Sequence, residues 1–390
     1  KAEYFTPLRG LSSLSRTKEA GEALGQALAK NSVLKELDIS GDGYFNGIDG
    51  PGFAKELAVG LSANWTLEKL IFGDEPKPVI SNTDEDESDS EDDEETKPRT
   101  PADEETKSRT PADEEMKPRT PAVLEVCMTE ADLSNKGLGV GGAIMVGAWI
   151  SHKDNGALTK FDMSNNDIRV DGAKTLAKAL NSNRTMTELN ISSNHITDRR
   201  SGHSHDMSGV IAISDAIPTM GALVKFDISS NALYAEGTKT IAEALKGNQT
   251  MTELNISSNS MDWDWSKHKP EMSGVVAISN AIPTMGALTS LNMSKNAMLT
   301  KEAGKALRDM LKANSVLKEL DVSSNYDYNA DSTDGAGFAS GIADGVSTNG
   351  ALTSLNMSSN NINQGINGEE AAAPGKALAG ALAVNTVLKE

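Results

Sequence analysis

Residues Leu158 to Asn166 read LTKFDMSNN, and the same phrase, Leu-x-x-Leu-x-Leu-x-x-Asn, returns down the whole chain. Clear copies begin at Met186 (MTELNISSN), Leu223 (LVKFDISSN), Met251, Leu288, Leu317 and Leu352. Decayed copies begin at Leu34, Leu67 and Met128, where Asp42, Glu75 and Lys136 replace the closing Asn. Within the phrase, Phe161 and Met163 lie two residues apart and share one face, while Lys160, Asp162 and Ser164 share the other; that is the period of a strand with one buried side. Asn166 closes the strand, where its amide can bond the backbone of a tight turn and of the adjoining coil. Stacked coils are thereby expected to share an asparagine ladder.

Between strands the period changes. VDGAKTLAKALNSNRT (170–185) and AEGTKTIAEALKGNQT (235–250) set Ala173, Leu176, Ala177 and Leu180, or their equivalents, three and four residues apart, which makes one apolar helical stripe. Each unit therefore reads strand, turn, helix, and parallel strands joined through helices build a curved sheet inside a helical layer. At least ten parallel strands are expected, with an eleventh unit opening at Leu388. Starting points from Leu158 onward alternate between short and long spacings, 28, 37, 28, 37, 29 and 35 residues, the signature of a duplicated pair. The extra residues of the long units follow the closing Asn, in HITDRRSGHSHDMSG (195–209), SMDWDWSKHKPEMSG (260–274) and YDYNADSTDGAG (326–337), along one rim.

This alternation resembles the ribonuclease-inhibitor-like class of leucine-rich repeats, seen also in the sensor regions of NOD-like receptors and in the Ran GTPase-activating protein. The resemblance runs from about Leu34 to the C-terminus apart from one insertion. It implies an α/β fold, a right-handed leucine-rich-repeat solenoid or horseshoe with a concave parallel sheet and outer helices. It says less about function, because the class serves inhibitors, receptors and GTPase regulators alike. The cysteines typical of the mammalian inhibitor are missing.

Three regions follow: N-terminal repeats at 1–73, an acidic insertion at 74–122, and the main array at 123–390, which stops inside a repeat. The insertion carries 18 acidic and 7 basic residues, more than half of the chain's net charge of −19. DEDESDSEDDEE is followed there by the tandem units ETKPRTPADE, ETKSRTPADE and EMKPRTPA, with no apolar face of any period, so disorder is expected. Ser88 and Ser90 lie among acidic residues, and Thr100, Thr110 and Thr120 each precede Pro; these are candidate phosphorylation sites. The insertion reads either as a solvated spacer or as a phosphorylation-tuned tether for a basic protein.

No apolar run approaches membrane length; the longest, GGAIMVGAWI (141–150), reads as a buried helix. The lone Cys127 excludes an internal disulfide and favours a reducing compartment, the cytoplasm with the nucleus as alternative. Lys1 in place of Met, together with the stop inside a repeat, reads as a piece of a longer chain. The histidines of GHSHD and WSKHKPE have no metal-ligand spacing, and Asp327, Asn329 and Asp331 lack the Gly and Glu of a calcium loop, so neither a metal nor another cofactor is expected.

Two surfaces are candidates for binding. The concave face repeats Asp162, Asn190, Asp227, Asn255, Asn292, Asp321 and Asn356 beside a column of serines. These suit either regularly spaced donors on an extended ligand or merely the crowding of parallel strands. The rim carries Tyr44, Phe45, His203, His205, Trp263, Trp265, Tyr326 and Tyr328, either as exposed anchors or as cover for the solenoid edge. With no catalytic constellation, the sequence reads as a non-enzymatic, monomeric interaction scaffold or sensor segment for a protein partner, with a basic partner suggested by the acidic tract and neither nucleic acid nor membrane. The alternative is a regulator of a small GTPase.

Overall fold

The computed structural model describes residues 17–40, 50–73, 120–152, 157–197, 206–264, 269–325, 334–363 and 372–389. The chain opens with α1 (Lys18–Lys30), β1 (Glu36–Asp38), α2 (Gly50–Ala63) and β2 (Lys69–Phe72), then β3 (Ala122–Glu125) and β4 (Glu130–Asp132). Strand and helix then alternate through α3 (Gly139–Ile150), β5 (Lys160–Asp162), α4 (Arg169–Leu180), β6 (Glu188–Asn190), α5 (Ser208–Ala216), β7 (Lys225–Asp227), α6 (Tyr234–Leu245) and β8 (Glu253–Asn255). After the short rim pair β9 (Trp263–Asp264) and β10 (Lys269–Pro270) come α7 (Ser273–Ala281), β11 (Ser290–Asn292), α8 (Lys301–Ala313), β12 (Glu319–Asp321), α9 (Gly335–Thr348), β13 (Ser354–Asn356) and α10 (Ala373–Val384).

Every copy of the repeated phrase forms its strand. In each, the middle residue is turned inward: Phe161, Leu189, Phe226, Leu254, Leu291 and Leu320 are all at most 2% exposed. Equivalent residues pair across successive strands without slippage, as Phe161 does with Leu189 and Leu189 with Phe226. One contiguous core runs from Leu28 to Ala381 between sheet and helices. The architecture is an α/β leucine-rich-repeat solenoid, with a helix covering each step of the sheet.

The asparagine ladder is present. Asn166, Asn194, Asn231, Asn259, Asn296, Asn325 and Asn360 are at most 2% exposed. Asn231 is representative: its Nδ2 donates to Ile191 O at 2.9 Å in the preceding coil and to Ile228 O at 3.1 Å in its own, while its Oδ1 accepts from Asn194 N at 2.9 Å. A second ladder, unforeseen, stands where each helix returns to the sheet. Asn349 Oδ1 accepts from Ala351 N and Leu352 N, and its Nδ2 donates to Leu311 O at 2.7 Å and Asn314 O at 2.9 Å in the coil before. Asn64 and Asn385 repeat this pattern. Both ladders bond backbone groups that a coil by itself leaves unmet.

All ten phrase strands expected from the sequence are present, and each pairs in parallel with another phrase strand. The phrase strands form two parallel sets, β1–β2 and an eight-stranded sheet from β4 to β13. Between them β3 runs antiparallel to β2, with Ala122 opposite Phe72 and Glu125 opposite Lys69. The chain coming back from the insertion reaches the open edge of β2 before β4 does, and Val126 N takes the carbonyl of Glu68 at 2.8 Å. Ala122, the last residue of the expected insertion, is a fully buried strand residue. On the helical side the stack continues, with α2 packed on α3. There His152 Nε2 donates to Asn64 O at 2.8 Å, its ring lying between Trp65 (5.8 Å between centroids) and Trp149 (6.5 Å). The apolar run 141–150 is helix α3, whose residues in that run are all buried.

Candidate interaction surface

The first residue of each strand points to the concave side, and these residues form a column that sequence reasoning passed over: Glu130, Lys160, Glu188, Lys225, Glu253. Acid and base alternate because the duplicated pair writes one strand KFD and the next ELN. Register brings them together. Lys160 Nζ lies 3.1 Å from Glu130 and 3.8 Å from Glu188, and Lys225 Nζ lies 2.9 Å from Glu253. The hydrogen bond and charge of Glu130, with the charge of Glu188, hold the Lys160 ammonium above the ordinary lysine range; Glu253 acts in the same way on Lys225.

The adjoining Asp/Asn column is largely engaged in holding the fold. Asp162 Oδ1 accepts from Ser164 N at 2.8 Å and Ser164 Oγ at 2.7 Å, while Asp162 Oδ2 accepts from Asn190 Nδ2 at 2.8 Å. Asp227 repeats this with Ser229 and Asn255, and Asp321 accepts from Ser323 N and Asn356 Nδ2. Asn292 accepts from Ser294 N at 2.9 Å. Asp132, at the first strand of the eight, has its carboxyl held below the ordinary range by the backbone and hydroxyl of Ser134. Each Asp or Asn thus caps its own turn, and three of the Asn side chains also bridge to the preceding coil.

Together the columns line a shallow groove of about 550 Å³ spanning β4, β5, β6, β7, β8 and β11. Its walls present six carboxylates, Glu130, Asp132, Asp162, Glu188, Asp227 and Glu253, against two lysines. The groove is therefore acidic even though its lysines are paired.

Of the rim residues, Trp263 is described: it lies in β9, half-buried, packed against the core. A half-buried ring of this kind is compatible with both readings of the rim, edge cover and partner anchor. Tyr44, Phe45, His203, His205, Trp265, Tyr326 and Tyr328 lie outside the described residues, as do Ser88, Ser90, Thr100 and Thr110. Thr120 is described and exposed. Among the described residues no group of three or more His, Cys, Asp or Glu is placed to hold a metal ion, and no helix is long and apolar enough to cross a membrane.

The leucine-rich repeat family model matches residues 157–177, 182–199 and 247–262, which contain β5, β6 and β8 with their asparagine turns. These units are leucine-rich repeats. Among solved structures, the leucine-rich repeat-containing protein LegL7 from Legionella pneumophila is similar at 20% identity and a TM-score of 0.40, over 61% of this chain and 68% of that one. The leiomodin-1 actin-binding site 2 is similar at 20% identity and a TM-score of 0.30, over 41% of this chain and 79% of that one. No curated protein matches this chain by sequence.

Proposed function

We propose that this leucine-rich-repeat chain is a non-catalytic protein-interaction scaffold whose concave groove takes an extended, basic segment of a protein partner. The observation that carries the reading is the composition of the groove: six carboxylates against two lysines over consecutive strands. Successive strands lie about 4.8 Å apart, so a cationic chain laid across them meets a carboxylate at each step from β4 to β8. Such contacts steer association and weaken as salt rises. The GTPase-regulator reading has no observation behind it beyond the repeat itself.

Fluorescence anisotropy of an oligolysine peptide tests the groove. Replacing Glu130, Glu188 and Glu253 together by Gln leaves the Asp turns intact and should weaken binding about tenfold or more at physiological salt, with a flatter salt dependence. Unchanged affinity in that variant would remove the concave face as the binding site. If Trp265→Ala then lowered affinity instead, recognition would move to the rim.

A further inference from the structure

β2 is followed by Gly73, whose left-handed φ of 96° suits glycine, and Thr120, at the end of the acidic tract, lies two residues before β3. Thr120 is held by one side chain. Lys136 stands where the clear copies of the phrase have their ladder asparagine, and its backbone N–H keeps the ladder by donating to Asn166 Oδ1 at 3.1 Å. Its side chain is thereby released from ladder duty and turns to the returning chain. Lys136 Nζ donates to Thr120 Oγ1 at 2.8 Å, to Pro121 O at 3.2 Å and to Thr120 O at 3.3 Å. Thr120 is exposed, lies outside any strand or helix, and sits in the last of three Arg-Thr-Pro-Ala units.

We propose that Thr120 is a phosphorylation site for a proline-directed protein kinase, and that Lys136 is the partner built into the first coil of the main array to hold the resulting phosphate. In the modification, Thr120 Oγ1 bonds to the γ-phosphorus of a nucleoside triphosphate. The bond from that phosphorus to the β–γ bridging oxygen breaks, nucleoside diphosphate leaves, and the hydroxyl proton passes to the kinase's base. The product carries about −1.5 to −2 charges and three strong acceptor oxygens on an atom already within hydrogen-bond distance of an ammonium. Burial pushes Lys136 below the ordinary lysine range, with Asp132 pulling it partly back, so this cation is under-compensated and a phosphate beside it restores what burial removed. Three weak contacts to neutral oxygens become a charge-assisted pair. The modification therefore pins the stem of the acidic tract to the solenoid, beside the end of the groove formed by Glu130 and Asp132. The inference stands independently of what the groove binds.

The test uses the full chain carrying Thr6→Val, Thr100→Val and Thr110→Val, so that Thr120 is the one threonine left in front of a proline. After treatment with a proline-directed kinase and nucleoside triphosphate, its second ionisation is titrated by phosphorus NMR against a free phosphopeptide of the same Arg-Thr-Pro-Ala sequence. The expected result is stoichiometric modification and a pKa about half a unit or more below the peptide's, because the neighbouring cation favours the dianion. Lys136→Met should return it to the peptide value and Lys136→Arg should keep the shift. Hydrogen exchange at the amides of 122–126 should slow on modification of the parent chain. Failure of the kinase to modify Thr120 while it modifies Thr100 and Thr110 in the unsubstituted chain would overturn the proposal. So would a peptide-like titration, or a shift that survives Lys136→Met.

Discussion

Residues 17–40, TKEAGEALGQALAKNSVLKELDIS, and residues 300–323, TKEAGKALRDMLKANSVLKELDVS, are two versions of one coil. Their internal structure agrees. Thr17 and Thr300 cap α1 and α8 by accepting from Ala20 N at 3.3 Å and Ala303 N at 3.1 Å. Gly21 and Gly304 let the next helix approach so closely that an added Cβ would meet backbone of Phe53 at 2.4 Å and of Phe338 at 2.6 Å. Burial does not agree. Leu317 is fully buried and Asn314 is 5% exposed, whereas Leu34 is half-buried, Asn31 is exposed and Val33 is 72% exposed. The later copy has β11 and α7 stacked on its preceding side. The difference separates what a coil does for itself, capping and turning, from what the neighbouring coil must supply, which is its core.

The strongest test of that separation is a matched core deletion. Leu317→Ala should lose about 3 kcal/mol of local stability and Leu34→Ala about 1 kcal/mol, since only the first opens a cavity closed on all sides. Hydrogen exchange at β12 and β1 reads each effect in place, because a solenoid opens regionally. Equal losses would mean that the neighbouring coil contributes little.

A smaller contrast is expected at the corner asparagines. Both accept from the two amides ahead of them, Val33 N and Leu34 N for Asn31, and Val316 N and Leu317 N for Asn314. Asn314 does so out of water, so Asn314→Ala should cost about 2 kcal/mol and Asn31→Ala about 0.5 kcal/mol. Matching values from denaturant titration would show that burial at this corner is immaterial.

The caps should show no contrast. Thr17→Ala and Thr300→Ala are each expected to lose about 1 kcal/mol, because the cap bonds only its own first turn. Exchange at the amides of Ala20 and Ala303 measures this directly, and a clear gap between the two would place capping under the neighbour's control.

A second pair of regions carries the lesson into the sheet. β12 is followed in register by β13, while β2, of the same phrase, is followed by antiparallel β3. A strand edge accepts whichever backbone reaches it, and the parallel partner is selected only where a short connection delivers it first. The insertion after β2 is what breaks the series.

The repeat, its strand and helix, the inward residues of each strand and the asparagine ladder were legible in the sequence, because each follows from periods of two and of three to four residues and from the chemistry of an amide at a turn. The engagement of the Asp column was not, since it depends on Asn190, Asn255 and Asn356 arriving beside carboxylates about thirty residues away. The acidic groove was half legible: its charges are written in alternating KFD and ELN, but only register sets Lys160 between Glu130 and Glu188. The half-burial of Trp263 was not legible in its loop, because a ring's exposure depends on what lies beneath it. Nor could the antiparallel pairing of β3 with β2, or the reach of Lys136 to Thr120, be read from spacing. Local pattern thus determined what each coil is. Tertiary structure decided which coil neighbours which edge and what each exposed group meets, since those contacts join residues that no local period relates.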